Sequence, residues 1–190
     1  MPDPSYSLRP MTATDLVLLA EWLQGPEHIR WWSDPAEWLA SKTEDLDEPL
    51  MDLRIAYFGA DPIGYLQSYP VHAWPEGAPN LVDQPPGSMA IDCFVAPQII
   101  GQGHGSAMVR LYALSLLANG APAVLIDPDP SNERAVRAYR RAGFRDLGLR
   151  PDGEGDMTLV MRFDPASLPI DIDLAARGDA PSGSSPERRP

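Results

Sequence analysis

Apolar and polar positions alternate in some stretches of the chain and recur at helical spacing in others, and the switches mark out its elements. Residues 8–10 read as the end of a first strand. In MTATDLVLLAEWLQG, Leu16, Leu19, Ala20 and Leu23 fall on one helical face. Thr12, with Asp15 three places on, makes a capping-box-like start, and Gly25-Pro26 a stop. A second short helix is predicted from Pro35, capped by Ser33 or Asp34. Residues 51–58 and 63–69 read as a hairpin around the turn GADP. Residues 71–87 form a long loop rich in proline and glycine, a length often kept for function. A central strand is predicted over 89–95, then a buried, nearly apolar helix over 103–119 and a short buried strand over 123–126. A helix over 132–142 stops at Gly143, and strands follow near 145–150 and 157–163.

The pattern ends near Ser167. A single α/β domain over residues 1–166 is expected, with a low-complexity, disordered tail over 167–190. The 190 residues suffice for one such core. No apolar run approaches the ~20 residues that span a bilayer, and the N terminus lacks the basic start and apolar core of a secretory signal. Cys93 is the single cysteine, which excludes a disulfide framework or a cysteine-rich metal site. His28, His72 and His104 show no metal-ligand spacing, so no metal is expected. These features point to a cytoplasmic protein, monomeric or homodimeric. The formal net charge of -12 disfavours nucleic acid and anionic membrane as partners and mildly favours a cationic small molecule.

The chemistry concentrates in AIDCFVAPQIIGQGHGSAMVRLYALSLLA, which runs strand, glycine-rich turn, helix. Gly101, Gly103 and Gly105 alternate at a helix start. There, unpaired backbone N–H groups and the helix dipole favour a phosphate, and Ser106 offers one more donor. An ordinary strand-to-helix turn would also use these glycines for their dihedral freedom. The spacing GxGxG mid-chain differs from the dinucleotide fingerprint GxGxxG after a first strand. The Gly-Lys-Ser/Thr of a P-loop is absent. Further on, Asn132, Ala135, Tyr139, Gly143 and Phe144 spell NxxAxxxYxxxGF.

These two signatures, in this order and on these elements, resemble the acetyl-CoA-binding half of the GNAT acyltransferase superfamily. The stretches LRPMTATDLVLLAEWLQ, HIRWW, DPIGYLQSY, AIDCF and DPDPSN are similar to aminoglycoside 6′-N-acetyltransferases over most of residues 8–163, with a gap in the 71–87 loop. The resemblance implies a GNAT fold: a mixed central sheet of about six or seven strands flanked by helices, with splayed central strands holding acetyl-CoA. It implies acetyl transfer to an amine by direct attack, with the 6′-amino group of an aminoglycoside as the leading acceptor. Other amines (a siderophore hydroxylamine, a polyamine, a protein N terminus) and a non-catalytic CoA-binding sensor are the alternatives.

By the same resemblance, backbone groups of Cys93, Phe94 and Val95 face the pantetheine arm. Gly101, Gln102, Gly103, His104, Gly105 and Ser106 hold the diphosphate, although Ile100 stands where the superfamily often has Arg or Gln. Asn132 binds the arm or caps its helix. Asp92 is the candidate base for the attacking amine and Tyr139 the candidate acid for the departing thiolate, with core packing as the other reading of Tyr139. Cys93 lacks an activating histidine nearby in sequence and is read as a backbone or structural residue rather than a nucleophile. Asp92, Asp127, Asp83, Gln67 and Trp32 are the expected acceptor contacts, the tryptophan offering cation–π attraction. Asp129 is read as a turn residue.

Overall fold

The structure is a computed structural model that describes residues 5–31 and 34–167. Its centre is a seven-stranded sheet of β1 (Tyr6–Pro10), β2 (Asp52–Phe58), β3 (Asp61–Pro70), β4 (Met89–Val95), β5 (Val124–Ile126), β6 (Phe144–Pro151) and β7 (Met157–Phe163). The spatial order is β1-β2-β3-β4-β5-β7-β6. Neighbours are antiparallel except β4 and β5, which run parallel across the crossover helix α4 (His104–Ala118). This is the mixed sheet of about six or seven strands that the resemblance implies. The expected tail lies outside the described residues except for Ser167, which closes a 3-10 turn over Pro165–Ser167. Among the described residues no helix is long and apolar enough to cross a membrane.

The start of the chain departs from the single helix expected there. A 3-10 turn at Ala13–Asp15 leads into α1 (Leu16–Trp22), and Gly25-Pro26, read as a stop, also opens a further helix, α2 (Pro26–Trp31). Proline at a first helical position has its missing N–H where no partner is needed, so one Gly-Pro pair can end one helix and begin the next. Next comes α3 (Pro35–Asp45), where the Asp34 carboxylate accepts hydrogen bonds from the Ala36 and Glu37 amides. The last helix, α5 (Glu133–Ala142), is capped by Asn132 and ended by Gly143 at φ 112°.

Strand alternation sorts the core into two faces. Ile63, Leu66, Ile91, Met108, Val109, Tyr112 and Phe144 pack under α4 and α5. Leu19, Trp22, Trp38, Ile55, Tyr65 and Phe94 pack under α1 and α3. On β4, Cys93 and Val95 pack toward the first cluster, whereas Phe94 belongs to the second. Asp92, which shares the parity of Phe94, therefore faces α3, while Cys93 faces α5. The 71–87 loop is no free flap: Val71 and Leu81 are fully buried against Ala90, Ala123 and Val160.

Candidate active site

The strands β4 and β5 part almost as soon as they meet. They pair only at Met89↔Val124 and Ala90↔Leu125. Along its other edge β5 pairs with β7 at Leu125↔Arg162 and Ile126↔Met161, and beyond Ala90 β4 runs on to Val95 against β3 alone. The Met89 amide donates toward β5, to Ala123 O at 3.0 Å, and the Ala96 amide toward β3, to Ile63 O at 2.8 Å. Odd-numbered residues of β4 thus turn their backbone groups into the gap, and even-numbered ones toward β3. Cys93 and Val95 present main-chain atoms to the gap; Phe94 turns its own to β3 and contributes a ring to the cleft wall.

The gap is the floor of a cleft in two joined halves, with Trp31, Cys93, Asn132, Ala135 and Tyr139 lining both. One half runs from Val95 to the glycine turn. Gly101 and Gly103 have φ of 85° and 91°, and a Cβ at either would meet nothing within 4 Å. Both reasons for glycine hold there: a left-handed backbone and open space above it. The buried Ser106 hydroxyl has no partner among the described residues. A buried orphan donor is costly unless a ligand completes it, so the first turn of α4 fits an anion of diphosphate chemistry.

Two residues expected here sit elsewhere. The His104 ring lies against β1 and β2, with Nδ1 3.0 Å from the Tyr6 hydroxyl and the Phe58 ring 4.9 Å away. The exposed Gln102 side chain donates to Gln98 O at 3.1 Å. Either residue can offer only its amide to a ligand in the cleft.

His28, which the sequence reading left without a role, wedges into the gap from α2. Its Nε2 lies 2.9 Å from Val95 O, and because a carbonyl only accepts, Nε2 carries the hydrogen. Burial pushes its pKa down, which keeps the ring neutral.

The other half of the cleft is acidic. Asp92 and Asp127 both line it, at the diverging ends of β4 and β5. Each is held by a buried amide. Gln67 Nε2 donates to Asp92 at 2.7 Å, and Asn80 Nδ2 donates to Asp127 at 2.6 Å and to Thr158 Oγ1 at 2.9 Å. Burial raises the pKa of Asp92 against the pull of Gln67 and Lys42. Burial and the charge of Asp92 raise that of Asp127 to about 7. The Tyr139 hydroxyl lies 3.5 Å from Cys93 Sγ. Burial lifts the thiol to about 12, so Cys93 stays protonated at neutral pH.

The remaining expected acceptor contacts divide. The Gln67 oxygen already accepts from Tyr65 Oη (2.8 Å) and Lys42 Nζ (2.9 Å), so this amide serves Asp92 and turns little toward a guest. Asp83 lies outside the cleft, paired with Arg150 at 2.6 Å, and Arg150 also donates to Asn80 O. Trp32 falls outside the described residues, and its neighbour Trp31 lines the cleft. Asp129 accepts from the Ser131 amide and hydroxyl in a turn, as expected. Asn80 and Lys42 were missed. For Asn80 the one available signal was its place in a long loop; Lys42 reads in sequence as an ordinary helix-surface lysine.

Comparison with known proteins places the same architecture in a known group. A family described as acetyltransferase (GNAT) domain matches residues 11–150. The aminoglycoside N(6')-acetyltransferase type 1 of Klebsiella pneumoniae is 35% identical over 161 residues, covering 78% of this chain and 79% of that protein. The structure of AAC(6')-Ib in complex with ribostamycin and coenzyme A superposes with a TM-score of 0.76 at 29% identity, covering 93% of this chain and 99% of that one. An aminoglycoside N(6')-acetyltransferase from Legionella pneumophila gives 0.66 at 25% identity, covering 86% and 94%. The parted strands, the glycine turn and the match over most of its length agree: the chain belongs to the GNAT acetyltransferase family.

Proposed function

We propose that this enzyme transfers the acetyl group of acetyl-CoA to an amine of a cationic acceptor by direct attack, the leading acceptor being the 6′-amino group of an aminoglycoside. The carrying observation is the meeting of two chemistries in one cleft. A glycine turn with an orphaned Ser106 hydroxyl lies at one end, and the paired carboxylates Asp92 and Asp127 at the other. The relatives solved with coenzyme A and ribostamycin, and with acetyl-CoA and paromomycin, support both halves of the reading.

The residues divide the work as follows. Main-chain amides of 101–106 and the Ser106 hydroxyl hold the diphosphate, and the gap-facing backbone of Cys93 and Val95 orients the pantetheine arm. Acetyl-CoA supplies the activated acyl group. Asp127 draws in the ammonium; a carboxylate that titrates near 7 releases a proton as the cation binds. Asp92 takes the proton that frees the amine lone pair, directly or through one water, and burial makes it a stronger base than an ordinary aspartate. Tyr139, on the opposite wall, keeps its hydrogen at neutral pH and gives it to the departing sulfur. Cys93 forms no acyl-enzyme, because its thiol is not ionised.

The test is thiol release from acetyl-CoA with a panel of aminoglycosides, polyamines and peptides. Release with kanamycin-type compounds is expected, and Asp92→Ala should lower it by about 10²–10⁴-fold while calorimetry still shows CoA binding. Release with polyamines or peptides alone would move the acceptor class. CoA binding without thiol release for any amine would favour a sensor.

A further inference from the structure

The deepest cation in the acceptor half of the molecule is one the cleft never touches. Lys42 sits on α3 with its side chain only 8% accessible, and lysine is almost never so buried without partners. Its ammonium pairs with Asp45 one turn on, lies 5.4 Å from the centre of the Trp38 ring, and donates to Gln67 Oε1 at 2.9 Å. The Tyr65 hydroxyl donates to the same oxygen at 2.8 Å, and Gln67 Nε2 donates to Asp92 at 2.7 Å.

This chain of donors has a direction. A glutamine amide can turn over, exchanging its oxygen and nitrogen, and only its partners decide which end faces where. Tyr65 does not decide it, because a hydroxyl can donate or accept. Lys42 does, because an ammonium only donates. It holds the Gln67 oxygen on its own side and leaves the N–H₂ for Asp92. Without it, a flipped Gln67 could lay its oxygen against the carboxylate. We propose that Lys42 is a positioning residue that keeps Asp92 in its carboxylate form by locking the orientation of Gln67. The inference rests on the reading of Asp92 as the base.

The surroundings of Asp92 leave this task to Lys42. From β3 it meets Gln67 and the phenols Tyr65 and Tyr69. From the end of β5 comes the carboxylate Asp127, from α5 Tyr139, and beside it on β4 Cys93. Asp45 lies behind the lysine on α3. Within this set the single cation is Lys42, and its charge and the Gln67 hydrogen bond oppose the burial that would otherwise protonate Asp92.

The experiment follows the Asp92 carboxyl directly, by ¹³C NMR titration of aspartate-labelled protein without acceptor, in Lys42→Met and Lys42→Arg. The Met variant should raise the Asp92 midpoint by about one pH unit, and Arg should restore it. The acid limb of kcat/KM should move with it, leaving kcat about tenfold lower on that limb and the KM for acetyl-CoA unchanged. Lys42→Leu, which removes the donor as Met does, supplies the same reading should the Met variant fail to fold. An Asp92 midpoint that stays put in a charge-free variant still binding CoA overturns the proposal. Because the titration needs no acceptor, it judges Lys42 even if the wild type releases no thiol with any amine, a result that would strike the proposed function alone.

Discussion

Asp127→Asn should make the ligand-free protein more stable at neutral pH while weakening its hold on a cationic acceptor. In the folded chain the Asp127 carboxyl is displaced from 3.8 to about 7, by burial first and the charge of Asp92 next, with the Asn80 hydrogen bond pulling the other way. The folded value lies above the unfolded one, so the native state binds this proton more tightly than the unfolded chain does. That contribution to stability is complete below about pH 4 and is lost as the pH climbs through about 7. A displacement of this size corresponds to ~4 kcal/mol. Asp127 keeps some access to water from the cleft and shares its titration with Asp92, which trims the measurable part to about 2–3 kcal/mol. An asparagine has no charge to bury, and its side-chain oxygen can still accept from Asn80. Urea unfolding of wild type and variant at pH 5, 6.5 and 8 is the assay. The variant should lead by about 1 kcal/mol at pH 5, and by about 2–3 kcal/mol at pH 8. The burial of Asp92 is common to both proteins and cancels in the difference. Parallel stability curves from pH 5 to 8 would refute the reasoning.

Two further outcomes follow from the geometry. Ser106→Ala removes a buried hydroxyl without a partner among the described residues, so the ligand-free protein should be as stable or up to about 1 kcal/mol more stable, while CoA affinity measured by calorimetry falls about 5- to 10-fold. Gly64→Ala would set a Cβ 2.7 Å from both Met108 Sδ and the Phe94 carbonyl; the thioether can swing away, but the carbonyl is fixed in the sheet, so thermal unfolding should show a loss of about 1–3 kcal/mol.

The elements with strong local chemistry were legible in the chain alone. Thr12 and Asp15 pair as the capping pattern implied: the Thr12 amide and hydroxyl both donate to the Asp15 carboxylate. Asn132 caps α5 and Gly143 ends it, while Gly101 and Gly103 take the left-handed backbone that a glycine turn allows. Such features depend on residues a few places apart, and the two signatures built from them were enough to point to the acyl-CoA half of the site. Alternation along β4 likewise determined that Asp92 and Cys93 face opposite ways.

What only the tertiary structure decided is where those faces lead. That β4 and β5 stay paired over two residues alone, while the opposite edge of β5 is taken by β7 some 35 residues further along the chain, is visible in no local pattern. That Gln67 serves Asp92, that Asp83 answers to Arg150 and not to the cleft, and that His104 turns to Tyr6 are all settled by partners distant along the chain. Lys42 is the plainest case. Nothing in its neighbours separates it from a solvated helix lysine, and its burial comes from the docking of α3 onto β3. Short-range sterics and backbone hydrogen bonding write the elements into the sequence; the pairing of buried polar groups is a property of the assembled core, because each such group must find its partner among whatever the fold brings within 3 Å.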